Sequence, residues 1–114
     1  MQNEITRDEL KRKLDSREKL VLIEALPAKY FQQGHLPGAI NIPHDAPAAT
    51  FTQALPDIGA EIVVYCASET CRNSSIAADR LVALGCRNVR EYHEGKAGWI
   101  DAGFPVESGA AAAA

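Results

Sequence analysis

Short apolar runs alternate along this chain with polar stretches of helical spacing. Leu20-Val21-Leu22-Ile23 is too short for a helix and shows no polar alternation, the pattern of a strand buried on both faces of a parallel sheet. Glu24 closes it. Ile62-Val63-Val64-Tyr65 repeats that pattern after Glu61, and Val89 to Tyr92 repeats it again. Between these two runs, residues 74–84 carry helical spacing, with Gly85 placed as a left-handed cap. The result is a β-α-β crossover. Leu36-Pro37-Gly38-Ala39 suits a type II turn and opens a brief strand that Pro43 ends.

Helices are punctuated as clearly. Thr6-Arg7-Asp8-Glu9 reads as a capping box, with Ile5 and Leu10 as its hydrophobic staple, and predicts a helix running to about Asp15. Pro27 opens one or two turns that Gly34 stops, with Tyr30 and Phe31 covering the sheet. Residues 50–55 are expected to form a short helix before a turn at Pro56-Asp57-Ile58-Gly59, and a last helical turn over residues 96–102 ends at Gly103 with Trp99 against the sheet. Alternating strands and helices with short connections predict an α/β fold, a central, mainly parallel sheet of about five strands flanked by helices on both faces. Residues 1–107 form the expected domain. Residues 108–114, Ser-Gly followed by five alanines, are low complexity and fall outside it.

A chain of 114 residues can bury roughly two thirds of the surface it exposes when unfolded, so no disulfide framework is needed. A net charge of −3 gives no electrostatic reason to expect nucleic acid. The N-terminus begins polar and acidic, unlike a signal peptide, and no apolar run is long enough to span a bilayer, so a cytoplasmic location is the default expectation. Three cysteines, an odd number, point to reactive or buried thiols.

Cys66 is the candidate nucleophile. It stands at the carboxyl end of the Ile62-Val63-Val64-Tyr65 run, where ligands bind in parallel sheets, and a loop leads from it onto a helix N-terminus. Unpaired peptide N–H groups and a positive dipole end are expected there, and both favour thiolate over thiol. Ala67, Ser68, Glu69, Thr70, Cys71 and Arg72 form the candidate substrate-binding cradle, with Arg72 as an anion contact and Cys71 as a possible redox partner of Cys66. Cys86 reads as core, and His35 as the holder of a structural hydrogen bond to backbone. His44 and His93 read as loop residues, with His93 placed to line the same mouth as Cys66. No metal site is expected, because no second ligand pair completes a tetrahedron with Cys66 and Cys71.

Three stretches resemble the single-domain rhodanese family. Residues 34–43, Gly-His-Leu-Pro-Gly-Ala-Ile-Asn-Ile-Pro, are similar to its Gly-His-Ile-Pro-Gly-Ala-Ile-Asn signature, and Ile62-Val63-Val64-Tyr65-Cys66 is similar to its strand ending in the catalytic cysteine. Gly85-Cys86-Arg87-Asn88-Val89, the Glu94-Gly95-Lys96-Ala97-Gly98-Trp99 segment and Gly103-Phe104-Pro105-Val106 are similar to its closing pattern. The resemblance implies sulfur transfer by double displacement through a Cys66 persulfide, from a small anionic donor such as thiosulfate, or another persulfide, to a thiol, cyanide-like or protein acceptor. It implies no cofactor.

Two departures stand out against that family. Glu24-Ala25-Leu26 replaces the usual Asp-x-Arg, so Glu24 needs a different partner. Five residues separate Cys66 from Arg72 where four are usual, and the connection to the helix is about two residues longer, a wider cradle for a larger anion. Cys-x5-Arg is also the oxyanion loop of cysteine phosphatases and arsenate reductases, which stands as an alternative. A redox or sulfur-carrier module using Cys66 and Cys71 is another. Glu69 argues against strong thiosulfate activity by repelling a dianion.

Overall fold

Five parallel strands are built by the runs described above plus one more, in the computed structural model, which describes residues 3–55 and 58–109. The strands are β1 (Asn3–Glu4), β2 (Val21–Glu24), β3 (Ile40–Asn41), β4 (Ile62–Tyr65) and β5 (Val89–Tyr92), in the order β1-β5-β4-β2-β3. Every pairing is parallel. The helices are α1 (Arg7–Asp15), α2 (Ala28–Gln33), α3 (Ala48–Ala54), α4 (Asn73–Ala83) and α5 (Gly95–Asp101). None of them is long and apolar enough to cross a membrane.

Side-chain alternation sends each strand into two cores. Ile23, Ile62, Val64 and Val89 meet Phe51 of α3 and Ala77, Ala78 and Leu81 of α4 on one face, and Cys86 joins them, buried as expected. Leu22, Val63, Tyr65 and Tyr92 meet Leu10 of α1, Phe31 of α2 and Trp99 of α5 on the other. Helices therefore cover both faces. Each fully buried Leu, Ile or Phe contributes about 1.5–3 kcal/mol, so both layers contribute to stability rather than one.

Several expectations are refined by tertiary contacts. Thr6 caps α1, accepting from the Glu9 N–H at 3.1 Å, but the Glu9 carboxylate does not complete the box. It is gripped instead by Arg90 of β5 at 2.8 and 2.9 Å. Tyr30 is exposed, and Phe31 alone covers the sheet from α2, because a six-residue helix turns a single residue fully inward. The strand after the Pro-Gly turn is only Ile40–Asn41, α3 starts two residues earlier than expected, and α5 starts at Gly95. The turn itself forms, with Gly38 at φ +79° and the Ala39 N–H donating to Leu36 O. β1 is the strand not predicted. Pro56 and Asp57 of the expected turn, and residues 110–114 of the expected tail, lie outside the described residues.

Candidate active site

β4 is the central strand, flanked by β5 and β2, and Cys66 is the first residue beyond its carboxyl end. The main chain then curls through residues 67–72 into α4. Two features at the start of α5 support that curl. The Lys96 N–H donates to Cys66 O and the Ala97 N–H to Ala67 O, each at 2.9 Å. Because a trans peptide sets N–H opposite C=O, the Ala67 and Ser68 N–H groups face away from α5. Gly95, at φ +70°, lets the two segments touch, since a Cβ there would lie 2.8 Å from Cys66 O and Ser68 N. Only glycine fits that approach.

The Cys66 sulfur is not at the surface. The residue is 1% exposed, and its thiol donates to Ser74 Oγ at 3.3 Å, at the second residue of α4. The Ser74 hydroxyl in turn donates to Glu91 Oε2 at 2.6 Å, and Ser75 Oγ lies 2.9 and 3.1 Å from the same carboxylate. Glu91 is a buried acid on β5, 5% exposed, on the face that carries Val89. Burial pushes the Cys66 thiol up to about 11, the neighbouring Cys71 thiol adds to the shift, and the Ser74 hydroxyl and N–H oppose it. This corrects the expectation that the resting loop favours thiolate. Desolvation outweighs the helix N-terminus here. One loop amide, that of Cys71, is also occupied by Ser68 O at 3.1 Å.

The remaining cradle residues stand around the sulfur rather than over one cavity. Ala67, Glu69, Thr70 and Arg72 are exposed, and Ser68 and Cys71 are half-buried. Glu69, Thr70, Cys71 and Arg72 line a groove of about 580 Å³ with Ser75 and His93. An anion entering it meets a guanidinium and a carboxylate together. Ala67 borders a second groove, of about 630 Å³, shared with Lys96, Tyr30 and Ile100. Cys66 lies beneath the loop that separates them.

Glu24 has found its different partner. The fully buried carboxylate accepts from Tyr65 Oη at 2.7 Å and from Lys96 Nζ at 3.0 Å, and Tyr65 Oη itself accepts the Leu36 N–H at 3.0 Å. An ion pair thus ties the end of β2 to α5, the helix that supports the Cys66 loop. His35 is structural, as expected, its Nδ1 2.8 Å from Phe31 O and its ring stacked on Phe31 at 3.7 Å. His93 is exposed on the groove wall, and His44 is half-buried in its loop. Among the described residues, no three His, Cys, Asp or Glu side chains gather as metal ligands.

Sequence reasoning did not find Glu91, or the supporting roles of Gly95 and Lys96. The available signal for Glu91 was its place two residues after Val89, which puts a carboxylate on a core-facing position of a strand.

Comparison with known proteins gives a consistent picture. The profile of the family described as "Rhodanese-like domain" matches residues 6–102. The chain is 36% identical over 106 residues to the "HTH-type transcriptional regulator Rv0324" of Mycobacterium tuberculosis, covering 93% of this chain and 45% of that protein. It is 35% identical over 94 residues to the "Adenylyltransferase and sulfurtransferase UBA4" of Candida albicans, covering 77% of this chain and 21% of that protein. It therefore spans less than half the length of these curated relatives. Among solved structures, the thiosulfate sulfurtransferase of Pseudomonas aeruginosa is similar with a TM-score of 0.84 at 26% identity, covering 95% of this chain and 20% of that one.

Proposed function

The chain belongs to the rhodanese-like domain family, and from that premise we propose that it is a sulfurtransferase whose carrier is a Cys66 persulfide. The Cys66 thiolate attacks the sulfane sulfur of the donor, the donor's S–S bond breaks, and the donor leaves as a thiolate, or as sulfite if it was thiosulfate. A thiol, cyanide-like or protein acceptor then takes the outer sulfur and restores the Cys66 thiolate. The observation that carries this reading is the Cys66 thiol at the end of the central strand, bonded to Ser74 at the N-terminus of α4.

Residues 67–72 serve as the cradle, with the Ala67 and Ser68 peptide N–H groups and Arg72 as its donors to an anion. Their resting arrangement covers the sulfur, so loading requires the loop to open. Glu69 beside Arg72 disfavours a dianion and favours a persulfide donor over thiosulfate. The Glu69 carboxylate in the groove that Arg72 lines also weighs against the Cys-x5-Arg oxyanion reading, which needs an unopposed guanidinium over the sulfur. Cys71 is a redox partner: its thiolate attacks the inner sulfur of the Cys66 persulfide, hydrosulfide leaves, and a Cys66–Cys71 disulfide remains for an external dithiol to reduce. Residues 1–107 are the functional unit, acting in the cytoplasm. A protein acceptor is a natural partner, since one relative's name couples adenylyltransferase with sulfurtransferase.

The test is intact mass measurement after incubation with thiosulfate and, separately, with a polysulfide. A gain of one sulfur that a reductant removes and that fragment-ion sequencing places on Cys66 is the expected result. No gain with either donor overturns the reading.

A further inference from the structure

The two grooves beside the Cys66 loop are not equivalent for the chemistry of its sulfur. Residues two apart on a strand share a face, so the Cys66 side chain points to the Val64 side of the sheet, and its bond to Ser74 of α4 agrees. The groove bordered by Tyr30, Lys96 and Ile100 belongs to the opposite side, that of α2 and α5. The groove of about 580 Å³ lies on the sulfur's own side, with Ser75, Ile76 and Asp79 of α4 in its wall. Cys71 lines it and neighbours the Cys66 thiol, which makes Cys71 the side chain common to the open groove and the buried sulfur.

The volume of this groove falls in the range of small-molecule sites, about 300–1,000 Å³. Its charges are mixed. The Arg72 guanidinium stands in the same wall as the Glu69 and Asp79 carboxylates, with His93 of the segment after β5 across from α4. A dianion meets repulsion from the acids, and a simple cation meets it from Arg72. A molecule carrying one charge of each sign satisfies both. We propose that this groove is the acceptor subsite, and that the acceptor it takes is a zwitterionic amino-acid thiol. The subsite's part in turnover rests on the sulfurtransferase reading.

In the bound acceptor, the carboxylate pairs with Arg72, the ammonium group with Glu69, and the thiol is directed toward Cys71. Ile76, exposed in the same wall, offers apolar cover for the methylene group. Once the loop opens, the acceptor sulfur attacks the outer sulfur of the Cys66 persulfide, the S–S bond to Cys66 breaks, and the proton lost by the acceptor is returned to Cys66. Thiol and persulfide thus give persulfide and thiol, with no oxidant or reductant consumed. Three contacts around one carbon distinguish enantiomers, since the mirror image can place only two of its three substituents at once.

Two measurements on the intact protein test this. S-methyl-L-cysteine keeps the amino-acid group but cannot accept sulfur, so it probes the groove in unloaded protein. It should slow the alkylation of Cys71 by iodoacetamide, followed by mass spectrometry with fragment-ion localisation, with saturation and at about tenfold lower concentration than its D enantiomer. Protein loaded with polysulfide and desalted should lose its sulfur about tenfold faster to L-cysteine than to D-cysteine, two reagents of identical thiol acidity. Loss to the acceptor and closure to the Cys66–Cys71 disulfide differ by two hydrogens in mass. Arg72→Ala and Glu69→Gln should each weaken the protection about tenfold, as expected for one charge-assisted contact, and shrink the enantiomer ratio. Circular dichroism melts of both variants separate loss of fold from loss of the subsite.

Equal protection by the two enantiomers, protection that does not saturate, or the parent ratio retained in both variants overturns the subsite. Stereoselective protection in a protein that forms no persulfide with thiosulfate or polysulfide leaves the groove standing as a site for zwitterionic amino acids and removes the sulfurtransferase reading. Persulfide loading followed by equal discharge to L- and D-cysteine does the reverse.

Discussion

Gly95→Ala is the substitution that most directly tests how the Cys66 loop is supported. Alanine at φ +70° costs about 1–2 kcal/mol for the left-handed conformation alone. Its Cβ would also sit 2.8 Å from Cys66 O and Ser68 N and 2.9 Å from Ala67 C, all main-chain atoms that no rotamer change can move. Overpacking of that kind typically adds about 1–3 kcal/mol, for a total of about 2–5 kcal/mol. Gly103 supplies the control, because it has nearly the same dihedral, φ +77°, and a Cβ added there would meet nothing within 4 Å. Gly103→Ala should therefore cost only the backbone part, about 1–2 kcal/mol. Urea unfolding of both variants, compared at a common m-value, isolates the contact as the difference between them. Persulfide loading should be lost in Gly95→Ala and kept in Gly103→Ala. Equal stability losses together with normal loading in Gly95→Ala would show that the α5 approach does not hold the loop.

Further outcomes follow from the same geometry. Cys66→Ser should abolish sulfur loading in the mass assay, whereas Cys71→Ser should still load but no longer lose two hydrogens on mild oxidation. Lys96→Ala leaves the fully buried Glu24 carboxylate with Tyr65 alone; discounting for the partly exposed lysine, the cost should be about 2–4 kcal/mol by denaturant unfolding. Adding Glu24→Gln should recover part of that loss, and a double-mutant cycle reads the coupling. Alkaline stability should reflect the Cys66 thiol, which burial raises from 9.0 to about 11. Between those two values the unfolded chain has released the proton and the folded chain retains it, so stability falls by about 1.4 kcal/mol per pH unit, with no effect below the lower value. Cys66→Ser should flatten that part of a stability profile measured by urea unfolding.

Much of the architecture was legible because its causes are local. Leu20 to Ile23 and Ile62 to Tyr65 announce central strands by lacking polar alternation, and Thr6, Pro27, Gly34 and Gly85 punctuate helices through their own backbone chemistry. Cys66 was placed correctly at a strand end by the same logic. What escaped depends on partners distant in the chain. Asn3 and Glu4 become a strand only through Arg90 and Glu91, and neither residue has strand character of its own. Glu9 abandons its capping role because Arg90 offers a two-toothed ion pair. Lys96 reaches Glu24 across 72 positions, and Gly95 matters for a main chain that arrives from Cys66. The depth of the Cys66 sulfur was equally hidden, since α4, Cys71 and the packed loop create it jointly. Its predicted ionisation failed for that reason.

The pairing of β1 with β5 has a consequence for how the molecule is made. Residues 3–4 leave the ribosome well before residues 90–91 and must wait for them to acquire a neighbour, so the sheet cannot be completed until β5 has emerged. Until then α1 has only part of its bed, and β4 presents an open edge to any other nascent strand. Vectorial production therefore favours late, concerted closure, in which the last strand to emerge seals both the edge of the sheet and the buried acid beneath the nucleophile.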